Sequence, residues 1–327
     1  MKKRKKLYFL FSIVLLLIFS TKVLAKTSKE KVLDLDKITI EDIWKHEYIK
    51  ANGINFHYVT AGEGPLLILL HGFPENWSTW REQINFLAEK YKVVALDMRG
   101  YNLSDKPLKV EDYKLDILTE DIKEVIKAFN YDKATLVAHD WGGAVAWAFA
   151  ANYSEMLEKL VILNSPHPMT FMKSISSSNQ IFHSWYMFFF QIPWLPEWGF
   201  SYNDFDNSLD SLRKTATYPD KAFNKEDLYY LYHGHKEKNA LTCMINYYRA
   251  IFKYPSKNMS KKITTPTLLI WGEKDKFLTK NSIKGIAEYV LDIQIKFFPD
   301  ASHWVHKDEP ELVNKALAEF LYSSNNE

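Results

Sequence analysis

Short apolar runs recur along the chain, separated by stretches in which apolar positions return every three or four residues. Leu66–Leu70, Val93–Leu96, Thr135–Ala138, Leu160–Leu163 and Thr267–Trp271 are continuous or nearly continuous apolar runs, and Gln294–Phe298 closes the series. Runs of this kind read as strands buried on both faces, because neither side of them meets water. Between them, Glu75–Lys90, Leu115–Phe129, Trp141–Asn152 and Glu309–Tyr322 carry helical periodicity. Strands alternating with helices predict a mostly parallel sheet with helices on both faces. The alternation stops between about Ser165 and Asn258, where aromatic residues crowd and no buried strand is legible. That stretch reads as a helical insertion, and Gln191, Pro193 and Pro196 interrupt it too often for a membrane span of about 20 residues.

Charge changes the picture mainly at the N-terminus. Of 42 Lys and Arg, six lie in residues 1–25, which hold no acid; the remainder carries 36 basic and 40 acidic residues, or −4. Nothing in that balance suggests nucleic-acid binding. Lys2–Lys6 are all basic, Leu7–Phe19 is apolar, and Val23 and Ala25 suit a cleavage site after Ala25. This is the form of a secretory signal, implying export, with a retained single-pass anchor as the alternative. A charged leader, Lys26–Glu41, follows. The single cysteine, Cys243, rules out an internal disulfide and a cysteine-based zinc site. Asn76, Asn102, Asn152 and Asn258 each begin an Asn-x-Ser sequon.

The chemistry concentrates where the strand Thr135–Ala138 runs into His139-Asp140-Trp141-Gly142-Gly143 and then a helix. A strand, a sharp turn with small flanking residues and a helix form a nucleophile elbow. The central side chain is a carboxylate, already ionised at neutral pH, so it can attack a carbon electrophile without a base. Read alone, Asp140 could equally be capping the helix.

With His71-Gly72-Phe73-Pro74-Glu75, Trp80-Arg81 and Asp97-Met98-Arg99-Gly100-Tyr101, this elbow resembles the epoxide hydrolase branch of the α/β-hydrolase fold, over about His46 to Tyr322. The resemblance implies that fold, with core segments 26–165 and 259–327 and a helical cap at 166–258. It implies Asp140 as nucleophile, with the backbone N–H groups of Phe73 and Trp141 as oxyanion hole; such a donor is worth roughly 2.7–4 kcal/mol. His71 is expected to hold its loop rather than react. Asp275, in Gly272-Glu273-Lys274-Asp275, matches the acid, with Glu273 a weaker second; the alternative site, Leu163-Asn164-Ser165, has no carboxylate. His303 matches the base, with His306 as its bland neighbour at the start of the last helix. Two cap tyrosines complete the pattern: Tyr186, upstream of Gln191, and Tyr248, directly before Arg249, with Tyr247 the nearest competitor. The family's substrates are epoxides attacked with water; no metal or cofactor is implied. An apolar epoxide suits the aromatic cap. The rivals are a haloalkane dehalogenase, in which Trp141 could hold a halide, and a catalytically silent lipid-binding protein.

Overall fold

The computed structural model describes residues 35–322 except Ser178, Lys257 and Asn258, so the segment expected to be a secretory signal, the sequon at Asn258 and the last residues lie outside the described residues. A short 3-10 turn, Leu35–Lys37, belongs to a separate N-terminal unit. The remaining unit, from Thr39, is built on one eight-stranded sheet. In chain order the strands are β1 (Lys45–Ala51), β2 (Ile54–Ala61), β3 (Leu66–Leu70), β4 (Lys92–Leu96), β5 (Ala134–His139), β6 (Leu157–Leu163), β7 (Thr267–Gly272) and β8 (Ile293–Phe298). Their spatial order is β1-β2-β4-β3-β5-β6-β7-β8. β1 and β2 pair antiparallel, as do β2 and β4, and every other pairing is parallel. This is the predicted α/β-hydrolase architecture.

Every residue of β3, β5 and β7 is buried, as continuous apolar runs require of strands covered on both faces. Helix Asp140–Asn152 is buried on nearly all sides and packs against β5 and β6. Burying a Leu, Val or Phe contributes about 1.5–3 kcal/mol, so this central layer supplies the rigid platform for the site. Two features differ from the sequence expectation. The hairpin β1–β2, whose first strand mixes charged and apolar residues, turns at Asn52-Gly53, both at positive φ (45° and 74°), as a tight hairpin turn demands. The helix expected over Glu75–Lys90 begins later: a 3-10 turn at Trp77–Trp80 is capped by Asn76, whose side chain accepts from the Ser78 amide, and the helix spans Arg81–Leu87. Glu75 is held by the site instead.

Between β6 and β7 the described residues form eight helices and no strand. They are tied to the sheet side at several points. Asn76 Nδ2 donates to the Tyr230 carbonyl (3.0 Å), and His235 Nε2 to that of Pro74 (2.7 Å). Lys307 pairs with Asp227 (2.7 Å). Asn76 is thus buried and engaged on both amide atoms, which leaves no room for a glycan. Among the described residues no helix is long and apolar enough to cross a membrane.

Candidate active site

β5 ends at His139 and the helix starts at Asp140, whose φ is +47°. A non-glycine residue there stores roughly 1–3 kcal/mol of strain, and it persists only where surrounding packing dictates it. The packing is visible at Gly142: a Cβ there would lie 2.3 Å from the Leu70 carbonyl oxygen and 2.6 Å from that of His71. Only glycine lets the helix start so close to the end of β3. Ser165 Oγ donates to the Asp140 carbonyl oxygen (2.7 Å), fixing the turn from the β6 side. The Phe73 amide donates to Asp140 Oδ1 (2.8 Å). Trp141, second in the helix, has one of the first-turn N–H groups that a helix leaves without an internal acceptor.

His303 lies between two carboxylates. Its Nδ1–H donates to Asp275 Oδ2 (2.7 Å), and its Nε2 is 3.6 Å from Asp140 Oδ2. Burial opposes the imidazolium, but the charges of Asp275 and Asp140 and the hydrogen bond to Asp275 outweigh it and push His303 up to about 10. Burial would raise Asp140 in turn, yet its contacts with His303 and the Phe73 amide hold it below its ordinary range. The sequence implies a modest rise at His303 from Asp275 alone; the proximity of Asp140 makes it larger. Asp275 is fully committed: Oδ1 accepts the amides of Phe277 (2.7 Å) and Leu278 (2.9 Å), and Oδ2 also accepts Asn164 Nδ2 (2.8 Å). Glu273, the weaker candidate, pairs outward with Lys280.

Tyr186 and Tyr248 stand close, with ring centroids 5.8 Å apart, and Tyr248 lies edge-on to Phe73 (5.3 Å) and Trp141 (5.0 Å). Burial and then the charge of Asp140 push both phenols well above their ordinary pKa, so both remain protonated donors at neutral pH. Tyr247 points elsewhere, its hydroxyl donating to the Arg99 carbonyl (2.8 Å). The residues flanking the two tyrosines clamp their helices together. Gln191 Nε2 donates to the carbonyls of Met187 (2.9 Å) and Tyr248 (3.0 Å); Arg249 donates to those of Phe190 (3.0 Å) and Ile192 (3.1 Å), and pairs with Glu197 (2.7 Å).

Three further residues shape the site. Asn164 occupies the position after β6 that holds no carboxylate, and its side chain bonds Asp275 and the Gly272 amide (2.8 Å); its positive φ of 38° is the feature an Asn tolerates. Glu75 and His139 form a buried pair (2.8 Å), with His139 Nε2 donating to the His303 carbonyl (3.0 Å). Glu75 also accepts from Thr79 Oγ1 (2.5 Å), linking the Phe73 loop, the elbow and the histidine loop. The only sequence signal for this network is three ionisable residues next to catalytic motifs. Glu75, His139 and His306 could geometrically hold an ion, but Glu75 Oε2 already bonds His139 Nδ1 (2.8 Å) and His306 Nε2 bonds Thr79 Oγ1 (2.7 Å). His306 lies in a short helix of its own, Val305–Asp308, which Glu309 separates from the last helix, Pro310–Leu321; burial lowers it to about 4. His71 is structural as expected: it accepts from the Met98 amide (3.1 Å) and bonds the Gly72 carbonyl (3.0 Å).

Residues 65–310 match the family model of the alpha/beta hydrolase fold. The chain is 40% identical to epoxide hydrolase 3 of Xenopus tropicalis over 85% of its own length and 78% of that protein's. It is 42% identical to human epoxide hydrolase 4, with 84% and 77% covered. A solved structure of the Bacillus megaterium epoxide hydrolase with an inhibitor superposes with a TM-score of 0.78 at 35% identity, covering 85% of this chain and all of that one.

Proposed function

The chain belongs to the epoxide hydrolase branch of the α/β-hydrolase fold family and is a hydrolase, and from that premise we propose that it converts an apolar epoxide to a vicinal diol through an ester on Asp140. The observation that carries the reading is the pair of buried phenols under the charge of Asp140. A carboxylate opens an epoxide only if the departing oxygen receives a proton, and a phenol donates one where water serves poorly.

In this scheme Asp140 attacks one ring carbon, the C–O bond breaks, and Tyr186 and Tyr248 protonate the oxygen. The imidazolium proton of resting His303 balances the one transferred, so the ester forms beside a neutral His303. That imidazole, oriented by Asp275, takes a proton from water, and the hydroxide adds to the ester carbonyl. The N–H groups of Phe73 and Trp141 hold the oxyanion until it collapses. The diol leaves, and the carboxylate and imidazolium return. The dehalogenase reading is disfavoured because a halide leaves as an anion and needs no proton donor, whereas two buried phenols, Tyr186 and Tyr248, stand with ring centroids 5.8 Å apart.

The test is His303→Gln, which keeps side-chain reach but removes the base. One equivalent of a styrene oxide-type substrate should become attached to the Asp140 peptide, adding the mass of the whole epoxide, because ring opening expels no leaving group. Adding Tyr186→Phe and Tyr248→Phe should abolish the adduct. An unmodified His303→Gln protein, under an epoxide that the unaltered enzyme turns over, would sink the covalent scheme. We also propose export: N-terminal sequencing of the protein from a secreting host should begin at Lys26, and an intact, membrane-bound N-terminus would establish the anchor instead.

A further inference from the structure

The outer side of the helical insertion carries an aromatic surface that the catalytic scheme does not use. Helices Gln180–His183, Trp185–Phe189 and Leu195–Ser201 are two-faced. Inward they present Tyr186, Phe190 and Phe200, whose rings pack on one another or on Phe73. Outward they present Phe182, Trp185 and Phe188 at three-residue steps, and Trp194, Trp198 and Tyr202 at four-residue steps. Phe182 is 77% exposed, Trp194 71%, Trp185 60% and Trp198 53%. Single exposed aromatics are ordinary; here six lie within residues 182–202, with Trp198 and Tyr202 in ring contact (5.5 Å) and Phe188 joined by exposed Phe252 (5.4 Å), a surface of the kind that marks an interaction site.

Charge is excluded from the same segment. A quarter of the chain is Asp, Glu, Lys or Arg, yet Asn179–Asn203 contains one such residue, Glu197, and Arg249 pairs with it. Trp194 adds a second, independent mark. It sits at φ +56°, a conformation a bulky side chain rarely adopts, and its side chain is largely exposed.

We infer that this face docks on the surface of a phospholipid bilayer. Trp, Tyr and Phe are the side chains favoured at the boundary between headgroups and acyl chains, and a face almost without charge suits a zwitterionic lipid surface. The same sequence carries five basic residues, Lys2–Lys6, before an apolar run, Leu7–Phe19, which, if retained as an anchor, would hold the chain at a membrane. The inference does not depend on the epoxide reaction.

Hydrogen–deuterium exchange of the full chain with and without phosphatidylcholine vesicles tests it locally, so that binding by the leader alone is not mistaken for docking. Exchange across residues 180–202 should slow by at least ten-fold with vesicles while the β-strands are unaffected. Dibromo-phosphatidylcholine should quench tryptophan fluorescence, and Phe182→Ser, Trp185→Ser, Trp194→Ser and Trp198→Ser together should remove most of the quenching and the protection without lowering the unfolding midpoint by more than a few degrees. Vesicle binding that leaves exchange at 180–202 unchanged would overturn the inference. So would protection of this segment that grows with protein concentration in the absence of lipid, which would identify a second copy as the occupant.

Discussion

At the residue scale, Asp140 and His303 set each other's charge, and the proposed reaction works by dissolving that relationship. With Asp140 ionised, His303 is held up to about 10. Once Asp140 becomes an ester, its charge vanishes, and burial then acts against Asp275 alone. The pKa of His303 must fall, which releases a base when one is needed. Two different pH profiles should result. kcat, where ester hydrolysis limits turnover, should decline as pH falls through a value well below 10. kcat/KM requires an ionised Asp140, whose pKa lies below 3.8, and a protonated His303, so it should stay flat from about pH 5 to 9. Steady-state rates across that range, joined to single-turnover measurements of ester formation, separate the two. A kcat/KM that fell together with kcat near pH 6–7 would show that Asp140 does not hold the resting imidazolium.

At the scale of elements, the elbow depends on contacts that begin at glycine. Gly142→Ala would drive its Cβ into the carbonyls of Leu70 and His71, and backbone cannot rotate away as a side chain can. β3 and the nucleophile helix should part by tenths of an ångström, carrying the Phe73 amide off Asp140. The expected outcome is a destabilisation of about 1–3 kcal/mol and a larger relative loss of turnover. Gly199→Ala, where the added atom meets nothing within 4 Å, should do neither. Differential scanning calorimetry and initial rates on the two variants decide it. Such elements were largely legible beforehand, because an apolar run admits few readings: β3 spans the predicted Leu66–Leu70, and β4 to β8 lie within a few residues of expectation. The edge hairpin was not, since half-exposed strands such as Lys45–Ala51 mix charged and apolar residues. Side-chain partners were less legible still. Tyr248 rather than Tyr247 faces the nucleophile because helix Ala240–Lys253 sends adjacent residues in different directions. Asn164 and Glu75 act through contacts more than 60 residues away in sequence, which no local pattern carries.

At the scale of the whole molecule, buried histidines of opposite tendency give stability a pH optimum. Burial lowers His167, His235 and His306 to about 4 each, from an ordinary 6.5. The unfolded chain protonates these groups first as pH falls, so their contribution is complete above 6.5 and is lost between 6.5 and about 4. Glu75, Asp97 and Asp140, all held low, extend that acid loss below the usual carboxylate range. His303 has the reverse sign. Its folded value is raised to about 10, so its contribution is complete below 6.5 and disappears as pH rises from there through about 10. The unfolding midpoint should therefore peak near pH 6.5–7 and decline on both sides. The alkaline decline has one identifiable source among these groups, which makes it separable. In His303→Gln the midpoint should be nearly level from pH 7 to 9.5 while the acid limb remains. Asp140→Asn should fall between the two, since it removes one of the two carboxylates that raise His303 and leaves Asp275. Thermal unfolding followed by circular dichroism across pH 4.5–10 for the three proteins reads these limbs directly. An alkaline limb as steep in His303→Gln as in the unaltered chain would assign it to some other group and contradict the charge coupling between Asp140 and His303 on which the proposed reaction rests.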